Sequence, residues 1–128
     1  MSSKDLDYGE LDKWTRKMIQ RLEVEYPKEA RKFLKTEIGG CKDEAISRTH
    51  KVTGNLIEGW KTQVKSKKGH YYGVLKNGAP HAHLIENGHF TKDGGWWEGH
   101  HMLEKTITNR QPIIDANMDK LFDDIFDL

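Results

Sequence analysis

The apolar positions of this chain change their period twice. Leu11, Trp14, Met18, Leu22 and Tyr26 recur at steps of three or four, the stripe of an amphipathic helix over residues 4–25. Pro27 suits the first turn of a second helix, because the N–H it lacks is one that no helix start uses. Phe33, Leu34, Ile38, Cys41, Ala45 and Ile46 give that helix, which runs to about residue 50, a buried face. Gly39-Gly40 weakens it by about 1 kcal/mol per glycine relative to alanine, so a kink or a close helix contact is expected there.

After Thr53-Gly54 the spacing shortens. Leu56–Ser66 and His70–Leu75 are rich enough in β-branched and aromatic residues to read as strands, joined by the turn Lys67-Lys68-Gly69. A second turn, Asn77-Gly78-Ala79-Pro80, leads into residues 81–86, which read either as a third strand or as a short helical turn. The segment Asn87–Gly99 is longer than most connections in compact domains. Its Asp93-Gly94 dipeptide predicts a small flap with Phe90 and Trp96 on opposite arms. Helical spacing then returns with Ile107, Ile114, Met118, Leu121, Ile125 and Leu128. Pro112 leaves two helices and one kinked helix equally open. Asp115, Asp119, Asp123, Asp124 and Asp127 line the other face, either as a solvated surface or as a docking surface for a basic partner.

These elements predict one α+β domain over residues 1–128. Helices occupy about 4–50, an antiparallel hairpin with a third strand and a long loop about 53–99, and a helical segment about 101–128. Composition narrows its partners. The 21 Lys and Arg nearly cancel the 20 Asp and Glu, leaving a net charge of +1, whereas a protein that binds nucleic acid by charge carries a clear basic excess. Contact with DNA is therefore expected to be at most indirect. Cys41 is the single cysteine, which excludes an intramolecular disulfide and a thiolate zinc site. Neither a signal peptide nor an apolar run of about 20 residues is present, so a soluble protein made in the cytoplasm and away from the membrane is expected.

Five of the seven histidines lie between His81 and His101. On a strand, His81 and His83 would share one face. With Glu86, His89, His100 and His101 they form a set able to hold zinc, and three such ligands with an open position make a hydrolytic centre. The spacing argues against it. No H-E-x-x-H places two imidazoles one helical turn apart, and His83 and His89 are separated by a glycine-containing turn. The neighbours His100 and His101 point apart in either helix or strand. A histidine–asparagine nuclease would use His100 or His101 as base near Asn109, but the cysteines that usually staple such a site with zinc are missing. There is no nucleophile elbow, and Gly94-Gly95 lacks the Lys-Ser/Thr of a phosphate loop. His50 and His70 read as surface or capping residues. A zinc-dependent hydrolase or nuclease built on His81, His83, His89 and His101 is the alternative to a contact surface with no cofactor.

Three segments, in order, resemble a known family. Thr53-Gly54-Asn55-Leu56 running on to Gly59-Trp60-Lys61 is similar to its "T-G-x-L/Y…G/S-W-K" entry to the first strand. His83-Leu84-Ile85-Glu86-Asn87-Gly88-His89 is similar to its "H-L-(L/V/I)-E-x-G-(H/T)". Gly94-Gly95 followed by Gly99-His100-His101-Met102 resembles its lead into the last helix, "G-G…G-x-(P)-H-(I/F)". The family is the neck, or minor tail-component, family of long-tailed bacteriophages, and the resemblance spans roughly residues 50–110. Here His100 replaces the usual proline, and a later proline is absent, so the start of the last helix is expected to differ.

The resemblance implies a non-enzymatic α+β virion protein acting at the head–tail junction, as a neck or tail-completion component, and forming a ring with other copies and with other junction and tail proteins. It would be made and assembled in the bacterial host cytoplasm. Ring closure needs two different adhesive surfaces on each subunit. Trp96 and Trp97 are candidates for one, since tryptophan is enriched in interface hot spots. The basic turn at Lys65, Lys67 and Lys68 and the acidic face at Asp123 and Asp124 are candidates for complementary charges across another. Within the motifs, Gly54 and Gly88 would supply backbone conformations closed to other residues. Glu86 would accept hydrogen bonds from loop amides or from His83 or His89, and His101 would pack or cap at the start of the last helix.

Overall fold

The computed structural model describes residues 13–49, 54–80 and 82–127, with Gly54 and Trp97 described by backbone alone. Leu11, His50, Thr53, His81 and Leu128 fall outside them. The elements run α1 (Lys13–Glu25), α2 (Pro27–Arg48), α3 (Gly54–Glu58), β1 (Trp60–Lys67), β2 (His70–Asn77), α4 (Ala82–Asn87), β3 (Gly88–Phe90), β4 (Trp96–Glu98) and α5 (Met102–Phe126). The architecture is α+β. No helix among the described residues is long and apolar enough to cross a membrane.

The first two helices follow the apolar stripe. α1 buries Met18 and Leu22, while Trp14 and Tyr26 stay half exposed and meet Phe122 and Phe126 edge-on at 5.9 and 5.8 Å. α2 starts on Pro27, with Glu29 in its first turn and Arg48 in its last, the arrangement the helix dipole favours. It is helical throughout the Gly39-Gly40 pair, so the close-contact expectation holds. A Cβ on Gly40 would collide with the Arg110 guanidinium of α5. Arg110 lies 3.6 Å from buried Glu37, which also accepts a 2.9 Å bond from Asn117. About two turns further along α2, Glu44 accepts from Asn109 at 2.8 Å. A ladder of polar contacts therefore ties α2 to α5.

Two expectations need correction. Leu56–Glu58 is helical, and β1 begins only at Trp60. Short apolar runs do not distinguish helix from strand, and here local hydrogen bonds decide. Gly59 N–H reaches the Asn55 carbonyl at 2.9 Å, and the Asn77 side chain donates to the Leu56 carbonyl at 2.7 Å. Of the two readings of residues 81–86, the helical turn is the one observed, over Ala82–Asn87, so His83 lies on a helix, while His81 lies outside the described residues. The third strand is β3, and it pairs with β4 in a second small ribbon instead of joining the hairpin.

β1 and β2 are antiparallel, Trp60 opposite Asn77 and Lys67 opposite His70. Lys68 (φ 52°) and Gly69 (φ 81°) form the two-residue turn, both in the left-handed region that matches strand twist. α5 is one helix of 25 residues with Pro112 inside it. Pro112 and Thr108, whose carbonyl loses its intrahelical donor, are both exposed, so water can replace that bond.

Two apolar clusters hold these elements. One joins Cys41 and Ala45 of α2 to Leu56, Trp60, Leu75, Ala82, Met102 and Leu103. Burial pushes the Cys41 thiol above the ordinary cysteine value. The other joins Met18, Leu22 and Ala30 to Phe122 near the end of α5.

An anchored aromatic flap as the candidate functional site

The site is built on α4. Its Glu86 is buried, and a buried carboxylate needs several donors. It finds them at the start of α5: Leu103 N–H donates to the two carboxylate oxygens at 2.9 and 3.1 Å, and Glu104 N–H donates at 3.2 Å. These are the second and third amides of the helix, the pair a capping side chain usually serves. His101 occupies the capping position in a left-handed conformation (φ 50°) and makes no side-chain cap bond. Glu86 therefore caps α5 from 17 and 18 residues away in sequence. Its donors are these helix amides rather than loop amides, His83 or His89.

The backbone completes the anchor. His100 and His101 N–H groups take the carbonyls of Ile85 (2.8 Å) and Glu86 (3.1 Å), which end α4. Gly88 turns the chain out of α4 with φ 89°, a conformation that L side chains rarely adopt. Gly99 lies so close to the Glu86 carbonyl and the Gly88 amide that a Cβ there would strike backbone.

From this base β3 and β4 project as a flap. Phe90 and Trp96 pair across its arms, with ring centroids 5.1 Å apart and planes at 74°. Thr91 N–H to Gly95 O at 2.8 Å and Gly94 N–H to Thr91 O at 3.0 Å close the tip. The aromatic pair faces water: Phe90 is 77% exposed and Trp96 is 53% exposed. Trp96 Nε1 donates to Glu98 at 3.1 Å, and the other Glu98 oxygen meets His101 Nε2 at 2.6 Å. His101 Nδ1 lies 3.3 Å from Glu104. A polar chain thus links the flap to the first turn of α5.

Glu98, by hydrogen bonding, holds the His101 imidazole above its ordinary value, and His101 holds Glu98 below the usual carboxylate range. A raised histidine stabilises the folded state below the ordinary histidine value, and that support is lost as pH rises through the raised one. In an NMR titration the His101 midpoint should therefore lie above about 6.5, and Glu98→Gln should bring it back down. An unchanged midpoint in the variant would sever the link.

Among the described histidines of the cluster, His83 is exposed on α4, while His89, His100 and His101 are partly buried. Among the described residues no group of three or more His, Cys, Asp or Glu is placed to hold a metal. Of the other motif residues, Gly54 opens α3 and Trp60 is a core residue. Its indole donates to Thr49 Oγ1 at 2.8 Å, and that hydroxyl donates to the Ala45 carbonyl at 2.7 Å. Lys67 and Lys68 sit exposed at the hairpin end, and Asp123 and Asp124 are exposed on α5. Glu23 has no local sequence signal of its role: from α1 it accepts the Tyr71 amide at 2.6 Å and meets His70 Nδ1 at 3.1 Å. His70 therefore docks the hairpin to α1.

The arrangement is an anchored base, a projecting ribbon and an uncovered aromatic tip. Residues 12–88, more than half of the chain, match the family described as "Bacteriophage HK97-gp10, putative tail-component". The chain belongs to this phage tail-component family. No match was found among curated proteins or solved structures. The matched segment contains His83, Glu86 and Gly88 and ends where the flap begins.

Proposed function

We propose that the protein is a structural, non-enzymatic subunit of the phage head–tail junction, a neck or tail-completion component that assembles as a ring through protein–protein contacts. It works without a cofactor, contacts DNA at most indirectly, and is assembled into the virion in the host cytoplasm. The observation that carries this reading is the Phe90–Trp96 pair, held in water at the tip of a doubly anchored flap. Exposed aromatic surface on a rigid mount suits a hot spot that a partner covers. Membership of a tail-component family supplies the setting. The zinc-hydrolase alternative finds no supporting ligand geometry among the described residues.

Replacing Phe90 and Trp96 together with serine should cost folding stability about 0.5–1.5 kcal/mol, the usual worth of such an aromatic pair. In phage whose own copy is deleted, the variant should leave heads and tails unjoined, as seen by electron microscopy. Normal particle yields from a folded double variant would refute the flap as a partner surface.

A further inference from the structure

The outer face of the β1–β2 hairpin carries an unbalanced row of charge. Its inner face, with Trp60, Leu75 and Gly73, packs toward α2, where Gly73 meets Ile38. Alternation then places Lys61, Gln63, Lys65 and Lys67 outward, opposite Lys76, Val74, Tyr72 and His70. All but Val74 are exposed. Lys61 and Lys76 are directly paired, a like-charge juxtaposition that destabilises a sheet unless something neutralises it. Residues 60–77 contain five lysines, no arginine and no acid. The second half of α5 is the converse: Asp115, Asp119, Asp123, Asp124 and Asp127 are all exposed, and Lys120 is the one cation from 113 to 127. Among the described residues, neither the five lysines nor Asp119, Asp123, Asp124 and Asp127 enter an ion pair.

We infer that the lysine face of the hairpin is the seat for the acidic α5 face of a second copy of this chain. The rows match in length: Lys61 to Lys67 spans about 20 Å of strand, and Asp115 to Asp127 spans about 18 Å of helix. The two faces are different surfaces of one molecule, so the contact is head-to-tail, the kind that closes rings. A nucleic acid would account for the lysines and leave the acidic row unexplained. A second copy neutralises both. This inference rests on the reading of the chain as a ring subunit and supplies its subunit-to-subunit contact.

Two folded variants test it. One carries Lys61→Glu, Lys65→Glu and Lys67→Glu; the other carries Asp119→Lys, Asp123→Lys and Asp124→Lys. By sedimentation at low salt, wild type should self-associate and each variant alone should lose that association. The mixture should regain a heavier species that dissolves as salt is added, because exposed charge pairs are screened. A mixture that stays monomeric overturns the inference, as does either variant associating as well as wild type. Loss of binding to a short DNA duplex on the lysine changes, without recovery in the mixture, assigns the face to nucleic acid instead. The flap substitutions leave this readout untouched, so the junction reading and the copy-to-copy contact fail separately.

Discussion

Replacing Trp60 with alanine is expected to destabilise the fold by about 3–5 kcal/mol, the usual cost of emptying a large aromatic site in a core. Trp60 is 2% exposed and lies in the apolar cluster that joins α2, α3, the hairpin, α4 and α5. Its indole also fixes Thr49 at the end of α2, so the change removes packing and leaves the hydroxyl of a buried threonine short of a donor. Trp60→Phe separates the two effects. It keeps most of the volume, strips the buried Thr49 hydroxyl of its donor, and should cost about 1–3 kcal/mol. Urea unfolding measures both. A loss under about 1 kcal/mol for alanine would mean that the hairpin is not anchored through this residue.

The second large effect concerns Glu86. Removing its carboxylate by Glu86→Ala strands the Leu103 and Glu104 amides at a partly buried helix start and should cost about 3 kcal/mol, the range for hydrogen bonds to a charged group. Glu86→Gln retains one acceptor oxygen but turns an amide NH₂ toward N–H donors, so about half of that loss is expected. Because α4 carries the flap and Glu86 joins α4 to α5, the glutamine variant should also lower the yield of joined particles at elevated temperature. Stability and assembly both unchanged in Glu86→Gln would remove the pinning role.

The parts of this site that were readable in the sequence are those whose signal is local. The flap follows from a turn dipeptide between aromatic arms, and Phe90 and Trp96 are paired as that pattern predicts. The hairpin follows from Lys68-Gly69 between strands. Glu86 stands out because an acid between an apolar pair and a glycine needs a reason, but its partners lie 17 and 18 residues away and leave no local trace. Glu23 and Glu37 are harder still, with partners 47 and 80 residues distant. Glu37 does fall on the same helical stripe as Phe33, Leu34 and Cys41, so an acid at a core-facing position was the available sign. Leu56–Glu58 reads as strand because a short apolar run carries no period of its own, and one of the two bonds that make it helical comes from Asn77, 21 residues on. The histidine cluster suggested a metal by its density along the chain, a signal that carries no geometry; among the described residues no three His, Cys, Asp or Glu are placed to hold one.

The central claim is that this chain joins phage parts by contact, with the anchored flap as the working surface. Electron cryomicroscopy of the assembled particle tests it most directly. The account predicts a ring of copies between head and tail, with Phe90 and Trp96 covered by a neighbouring protein. Absence of the chain from purified virions and from assembly intermediates alike would contradict it.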